Sequence, residues 1–328
     1  MKLTILAIGI VSLVWMSLVF ATPNNADAAG QDKKPDDLLA QAEQALRLRK
    51  FREAMELATK VIEQKPESAE AHLLRGLARG SLGNLREAVG DFTKAIDLKP
   101  AATTYLQRGR AYSELDEPAK ALADFDQALK LDPKARGVNR QTGRERFKLG
   151  KVTESIADFD RFVELEPEHE NDLWERGLSR YYASQFRLAQ KSFEDYHKVG
   201  PDDTENDLWR MLSQAEVDGL AEAQKVLKSL HARRGEIFPA MYDLYTGKIM
   251  PDEAFSRAMA VATNENDRKR HTFYAHLYVG MWFVATRDKT NAVEHLEKAV
   301  AVRSTDYMWH VGRLQLERLK STIKPKSP

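Results

Sequence analysis

The stretch AEAHLLRGLARGSLGNLREAVGDFTKAIDLKP, residues 69–100, carries the pattern that decides the fold. Small residues stand at Gly76 and Ala88, with a turn-forming Gly-Asn pair between them. Phe92 follows Ala88 by one helical turn, and Pro100 ends the stretch. Because small side chains let two helices approach closely, the stretch predicts a helix, a turn and a second helix packed against the first.

The same pattern recurs along the chain with a period of about 34 residues. The prolines that end successive units lie 34, 33, 34 and 34 residues apart, at Pro66, Pro100, Pro133, Pro167 and Pro201. The first small residue of each unit is Ala42, Gly76, Gly109, Gly143 or Gly177, and the second is Ala54, Ala88, Ala121, Ser155 or Ala189. The aromatic position is filled in four units, by Phe92, Phe125, Phe159 and Phe193. We therefore predict five consecutive helical hairpins over residues 36–201.

This unit resembles the tetratricopeptide repeat, which has small residues at its eighth and twentieth positions, an aromatic residue at its twenty-fourth and proline at its thirty-second. The resemblance implies an all-α, right-handed solenoid of antiparallel helix pairs that holds other proteins. Arginine precedes the small residue of three units, at Arg75, Arg108 and Arg176. Such Arg-Gly pairs are common in these repeats, and we interpret them as structural.

Beyond Pro201 the regular period lapses and then returns. Residues 202–265 read as an irregular helical segment, and residues 266–320 as a final repeat followed by a capping helix with a charged surface. The small and apolar residues of the final repeat restore the earlier spacing, at Gly280, Ala292, Leu296 and Ala299. Residues 321–328 are predicted to be a disordered tail.

This second half resembles the NlpI-like family of envelope tetratricopeptide proteins. The likeness rests on the order and spacing of Leu208-Trp209, the run at 241–248, Phe273-Tyr274, Tyr278-Val-Gly280 and the run at 292–302. It implies a homodimeric envelope adaptor that docks a processing protease and cell-wall hydrolases. The best-known members are lipoproteins. This chain contains no cysteine, so it cannot carry a lipid in that way.

The first thirty residues have the layout of a secretory signal peptide. A positive end at Lys2 precedes an uncharged run at 3–20, and small residues at Ala26 and Ala28 follow it. We predict cleavage after Ala28, a polar linker at 29–35 and a periplasmic or secreted protein. The uncharged run is 18 residues long, at the lower edge of what spans a bilayer, so an uncleaved anchor is the alternative.

Composition excludes several kinds of function. The chain has 50 lysines and arginines against 49 aspartates and glutamates, so no global field draws it to nucleic acid. Without cysteine there is no thiolate chemistry, disulfide or cysteine-bound zinc. No phosphate-binding loop or nucleophile elbow is present, and we predict neither a cofactor nor an enzyme.

Histidines do not form a recognisable metal site. His271 and His276 lie five residues apart, which turns them away from each other on a helix. His169 stands among Glu166, Glu168 and Glu170, where a divalent ion would bind weakly, although an acidic turn of this kind is usually only solvated. We predict no metal.

The resemblance places the first helix of each unit along a concave groove. Its floor positions read Leu73 and Leu77, then Leu106 and Arg110, then Arg140, Arg144 and Lys148, then Trp174, Leu178, Tyr181 and Tyr182. We predict the partner-binding residues to be Arg110, Arg140, Arg144, Lys148, Trp174, Leu178, Tyr181 and Tyr182. The alternative for the two tyrosines is that Tyr181 or Tyr182 fills the seam between hairpins. The three cations at 140, 144 and 148 form a basic stripe that either captures an acidic peptide or is neutralised internally, by residues such as Glu114 or Glu175.

Three functions from different classes fit these observations. The first is an exported, non-enzymatic adaptor that binds other proteins or peptide segments and docks envelope proteases or cell-wall enzymes. The second is a carbohydrate-binding or peptidoglycan-binding module that stacks sugars on Trp174, Tyr181 and Tyr182. The third is a structural subunit of a membrane-associated secretion or assembly complex, which is favoured if residues 3–20 remain as an anchor.

Overall fold

A computed structural model describes residues 34–230 and 236–323, and every regular element in those ranges is helical. The five repeats consist of α1 Pro35–Arg47, α2 Phe51–Gln64, α3 Ala69–Ser81, α4 Leu85–Leu98, α5 Ala102–Glu114, α6 Pro118–Leu131, α7 Val138–Lys148, α8 Val152–Leu165, a 3₁₀ helix Pro167–Asp172, α9 Trp174–Tyr182 and α10 Phe186–Val199. The second half consists of α11 Thr204–Asp218, α12 Leu220–Ser229, α13 Phe238–Tyr245, α14 Pro251–Ala260, α15 Glu265–Ala285, α16 Lys289–Ala301 and α17 Tyr307–Ile323.

The helices pack in the order of the chain. The two helices of each repeat contact each other, and the second helix of one repeat contacts the first helix of the next. First helices of successive repeats also meet, α1 with α3 and α3 with α5, so they form one side of the solenoid. This packing confirms the predicted all-α solenoid of helix pairs.

The recurring spacing of glycine and phenylalanine within the repeats is explained by contact between the paired helices. A Cβ atom on Gly76 would lie 2.6 Å from the ring of Phe92, and one on Gly109 would lie 2.6 Å from the ring of Phe125. The fourth and fifth repeats show the same approach, at 2.9 Å for Gly143 and 2.8 Å for Gly177. Each ring therefore occupies the space that any larger residue would need at the eighth position of the repeat.

In the second and third repeats, the arginine that precedes this glycine binds a buried aspartate on the paired helix, whereas in the fifth it binds a half-exposed aspartate on α8 of the preceding repeat. Arg75 Nη2 lies 2.7 Å from Asp91 Oδ1, and Arg108 Nη2 lies 2.8 Å from Asp124 Oδ1. The hydrogen bond and charge of Asp124 raise the pKa of Arg108. The third arginine, Arg176, pairs with Asp160 at 3.3 Å. These pairs agree with the structural role expected for the Arg-Gly motif.

The second half, together with side chains of α7, α9 and α10, builds the largest continuous core of the described chain. Tyr278 lies at its centre: its hydroxyl oxygen accepts a hydrogen bond from Trp209 Nε1 at 3.1 Å, and its carbonyl accepts one from Tyr245 at 2.8 Å. In the final repeat, a Cβ on Gly280 would lie 2.9 Å from Leu296, so the restored spacing serves the same close approach. No helix within the described residues is long and apolar enough to cross a membrane.

At the two ends of the chain, the predicted boundaries differ from the range of residues that the structure describes. The last helix begins at Tyr307 and continues to Ile323, so it extends into the first residues of the predicted tail at 321–328. Thr322 Oγ1 donates a hydrogen bond to the carbonyl of Leu319, which is part of that last turn. The predicted signal peptide at 1–28 and most of the linker at 29–35 lie outside the described residues.

Candidate functional site

The first helices form the groove predicted from the repeat, and its open part lies on α3 and α5. Leu73 and Leu77 pack against the core around Phe92, and each remains partly exposed. Leu106 is partly exposed in the same way on α5. Arg110 is exposed beside them, and no ion pair or side-chain hydrogen bond is found for it among the described residues. We call these four residues the open groove.

The basic stripe on α7 is neutralised from within the chain. Arg140 and Arg144 both bind Glu175 of α9, at 3.1 Å and 2.9 Å, and the Glu175 side chain has no exposed surface. Of the two alternatives that the sequence left open, the internal one is therefore present, and Glu175 is one of the two residues named for it. A peptide that bound these arginines would have to compete with a buried carboxylate.

The third cation of the stripe, Lys148, is buried rather than exposed. Its Nζ lies 3.2 Å from Glu145 Oε1 and 3.9 Å from Asp116 Oδ1. Its carbonyl accepts a hydrogen bond from Arg313 of α17 at 2.6 Å. The ammonium group of Lys148 is thus paired inside the fold, as the internal alternative for the basic stripe expects, and its role in binding a partner stays a prediction.

The predicted aromatic and apolar anchors on α9 belong to the interior. Leu178 and Tyr181 are buried, and the Tyr181 ring meets Phe186 and Trp209 edge to face. Burial raises the pKa of Tyr181 well above its ordinary value. These side chains fill the seam between repeats, which is the alternative that the sequence left open for Tyr181, and their role in binding a partner stays a prediction.

Helix α17 covers the groove of the fourth and fifth repeats. Tyr182 donates a hydrogen bond to the carbonyl of Val311 at 2.8 Å, and His310 Nε2 lies 2.8 Å from Asp116 Oδ1. The Tyr307 ring stacks on Phe147 with centroids 5.2 Å apart. The last helix was predicted to cap the solenoid; it also returns to its concave face.

The remaining predicted anchor, Trp174, lies at the edge of this cover. It is partly buried, and its ring meets Tyr307 edge to face at 5.5 Å. With Tyr181 buried, Tyr182 bonded to α17 and Trp174 against Tyr307, the three rings do not form an exposed platform. The groove is thus divided into a covered part on α7 and α9 and an open part on α3 and α5.

The acidic turn around His169 is held by hydrogen bonds within the chain. Ligand atoms of Glu166, Glu168 and His169 lie within 4.8 Å of one another. Arg136 binds both glutamates, at 3.1 Å and 2.7 Å, and Glu166 also accepts a hydrogen bond from the backbone of Gly137 at 2.6 Å. These contacts use the carboxylates to fasten the turn to the start of α7.

The repeats match a known family. Residues 39–103 and residues 102–135 each match the tetratricopeptide repeat. Tetratricopeptide repeats are present in this chain. A tetratricopeptide repeat protein from Parabacteroides merdae has the same fold, with 16% identity, a TM-score of 0.51 and coverage of 87% of this chain and 98% of that one.

Two other similarities are weaker. The C-terminal part of a tetratricopeptide repeat protein from Cytophaga hutchinsonii aligns with 16% identity and a TM-score of 0.48, over 84% of this chain and 98% of that one. A rice protein, DnaJ protein P58IPK homolog B of Oryza sativa subsp. japonica, is 32% identical over 75 residues. That segment spans 23% of this chain and 16% of the rice protein.

Proposed function

We propose that this chain is a non-enzymatic scaffold that binds a segment of another protein in the open groove. The observation that supports this is the contrast between the two parts of one concave face. Helix α17 covers α7 and α9, whereas the leucines of α3 and α5 keep exposed apolar surface along the same line. An apolar strip with a defined floor is a surface that partners commonly use in repeat proteins.

The side chains of the open groove indicate which kind of protein segment would bind there. Apolar side chains of the bound segment would lie on Leu73, Leu77 and Leu106. Charged residues of both signs flank that floor, with Glu70 beside Leu73 and the pair Arg110 and Glu114 beside Leu77. We infer an apolar segment with charges at its edges. An acidic group on that segment would find Arg110, the one predicted cation that remains exposed and unpaired among the described residues.

We further propose that the protein acts outside the cytoplasm as an adaptor for envelope proteases or cell-wall enzymes. The layout of residues 1–28 supports export, and the order of residues between 208 and 302 that resembles the NlpI-like family supports the adaptor role and a homodimer. A secretion or assembly subunit is the second candidate if residues 3–20 stay in the membrane. We do not propose a carbohydrate-binding function, because the rings of Trp174, Tyr181 and Tyr182, on which sugars would stack, are packed against other residues or hydrogen-bonded.

Site-specific photocrosslinking in the native envelope tests the open groove. Benzoylphenylalanine would replace Leu77 in one variant and Lys94, exposed on α4, in a matched control. We expect a discrete crosslinked protein from position 77 and none from position 94. Adding Leu73→Glu to the first variant should abolish the product, because a carboxylate would enter the apolar floor. A product formed only from position 94, or one unaffected by Leu73→Glu, would place binding elsewhere.

A further inference from the structure

A cavity separate from the open groove lies between α9, α11 and α17. Its volume is about 200 Å³, and its apolar wall is made of two indole rings, one phenyl ring and one thioether: Trp174, Trp209, Phe193 and Met308. The faces of aromatic rings carry partial negative charge, and indole is the ring that attracts a cation most strongly. The wall therefore suits an apolar or cationic group.

The polar side of the cavity offers acceptors of hydrogen bonds. It is formed by Asp203, Glu205 and Asn206, at the start of α11. Asp203 caps the helix by accepting a hydrogen bond from the backbone of Asn206 at 3.1 Å. Asn206 is itself buried: its Nδ2 donates to the carbonyl of Phe193 at 2.9 Å, while its Oδ1 receives no hydrogen bond. A buried acceptor without a donor is costly unless a ligand or water supplies one.

Glu205 is the central charged group of this cavity. One carboxylate oxygen, Oε1, accepts a hydrogen bond from the Tyr278 hydroxyl. No hydrogen bond to its other oxygen is found among the described residues. Glu205 also borders a neighbouring cleft, so it lines two adjacent spaces. The other residues of that cleft are Glu236, Ile237, Phe238, Arg270, His271 and Tyr274.

The acidic groups at this place form no ion pair within the described residues. Arg270 and His271, which line the neighbouring cleft, pair with Glu236 instead, and the amino end of α11 contributes only partial positive charge. None of the ion pairs found there involves Glu205, Asp203 or Asp306. Asp306 accepts hydrogen bonds from the Tyr274 hydroxyl and from the backbone of Met308, both at 2.8 Å. Burial, with the nearby charges of Asp203 and Asp306, raises the pKa of Glu205 to about 7. A bound cation would pair with the ionised carboxylate and favour that form.

We propose that this cavity binds an alkylammonium group through Glu205, Asn206 and its two indole rings. Ammonium donates three hydrogen bonds in separate directions, which matches separate acceptors. A guanidinium ion prefers both oxygens of one carboxylate, and Tyr278 already occupies one oxygen of Glu205. The ammonium could belong to a free amine or to a lysine side chain of a bound segment; the second source rests on the proposed scaffold function.

Nuclear magnetic resonance of the full chain with labelled tryptophan would test this site. The indole N–H signals of Trp174 and Trp209 report the cavity, and that of Trp282, which packs against Tyr245, is an internal control. The probes are n-butylamine and its uncharged analogue butan-1-ol. A capped pentapeptide with a central lysine among alanines, and the same peptide with norleucine, test the second source.

We expect n-butylamine to shift the two cavity signals saturably and butan-1-ol to leave them unchanged. Glu205→Gln keeps the shape of the side chain and should weaken binding about tenfold or more, the loss typical of a hydrogen bond to a charged group. Glu56→Gln removes one exposed charge from α2 and should bind as the parent does. Equal binding of the alcohol, full binding by Glu205→Gln, or no shift with the amine would each overturn the proposal.

Two further measurements test the amine site without a variant that could misfold and without reference to the open groove. Calorimetry of the unaltered protein at pH 7 in two buffers should detect proton release as the amine binds, because Glu205 becomes fully ionised beside it. Binding of the lysine peptide, with none by the norleucine peptide, would assign the site to a protein partner. Binding of the free amine alone would keep the site and assign it to a small molecule, whatever the crosslinking at residue 77 shows.

Discussion

Tyr307 should hold α17 in the groove, and its ring and its hydroxyl should have opposite effects on stability. The side chain is 6% exposed. Its ring stacks on Phe147, meets Trp174 edge to face, and lies 5.1 Å from the guanidinium carbon of Arg144. Its hydroxyl, in contrast, is buried and has no hydrogen-bond partner.

The size of each effect follows from these contacts. Burial of an aromatic side chain removes about 150–250 Å² from water, which at about 25 cal/mol per Å² is worth roughly 4–6 kcal/mol as an upper estimate. Truncation of buried rings to alanine costs about 3–5 kcal/mol in practice, and we expect Tyr307→Ala to fall in that range. Tyr307→Phe should instead stabilise the protein by about 1 kcal/mol, since it removes an unsatisfied polar group.

The labelling rate of a single introduced thiol can distinguish local detachment of α17 from global unfolding. The chain has no cysteine, and Val311 on α17 has no exposed surface, so Val311→Cys creates one protected thiol in the covered groove. If Tyr307→Ala costs about 3 kcal/mol, the open population and the labelling rate should rise on the order of a hundredfold. Urea unfolding followed by circular dichroism gives the change in global stability of the same variants.

Two results would refute this reasoning. Unchanged labelling of Val311→Cys in the presence of Tyr307→Ala would mean that other contacts hold α17 in place. A loss of more than about 1 kcal/mol on Tyr307→Phe would mean that the hydroxyl has a partner that stabilises the folded state.

Three further predictions concern the repeats and the charges. Gly76→Ala should destabilise the protein by about 1–3 kcal/mol in urea unfolding, because the new Cβ would lie 2.6 Å from the Phe92 ring. Gly80→Ala on the same helix is the control: its Cβ would lie 3.9 Å from the Cβ of Ala88, and it should stabilise the protein by about 0.4–1 kcal/mol. Glu175→Gln should cost about 2–4 kcal/mol at pH 7, since it leaves two arginines without their buried partner; a neutral result would mean that both turn freely to water. The pKa of Glu205 is raised from 4.5 to about 7 in the folded state. Between these two pH values the folded protein keeps a proton that the unfolded chain has lost, so the contribution of Glu205 to the free energy of unfolding should fall by about 3 kcal/mol as the pH rises from about 4.5 to above 7. Glu205→Gln should remove that part of the slope, and equal slopes would contradict the buried charge.

Much of the repeat region could be predicted because its contacts are local. Gly76 and Phe92, like Arg75 and Asp91, are 16 residues apart, so one hairpin contains both partners. The spacing of such pairs therefore reports directly on the geometry of two adjacent helices. The same period also leads to the cavity around Glu205. One more step of 34 residues from Gly177 reaches Met211, which makes Met211 the eighth and Glu205 the second residue of a sixth unit, on the first helix of that unit.

The identity of the exposed groove residues could not be predicted in this way. A basic stripe and three aromatic rings on first helices look alike in sequence whether they meet a partner, a neighbouring repeat or a distant helix. Glu175 neutralises Arg140 from 35 residues away, and Val311 accepts the hydrogen bond of Tyr182 from 129 residues away. Nothing in the spacing of the repeat encodes where the last helix will return.

The sequence alone thus determined the hairpin unit and its all-α fold, because close helix contacts demand small residues at a fixed interval. The tertiary structure alone decided which part of the groove is open. The solenoid brings α17 back over α7 and α9 and places Glu175 between two arginines, and such long-range contacts depend on the summed geometry of many repeats rather than on any one of them.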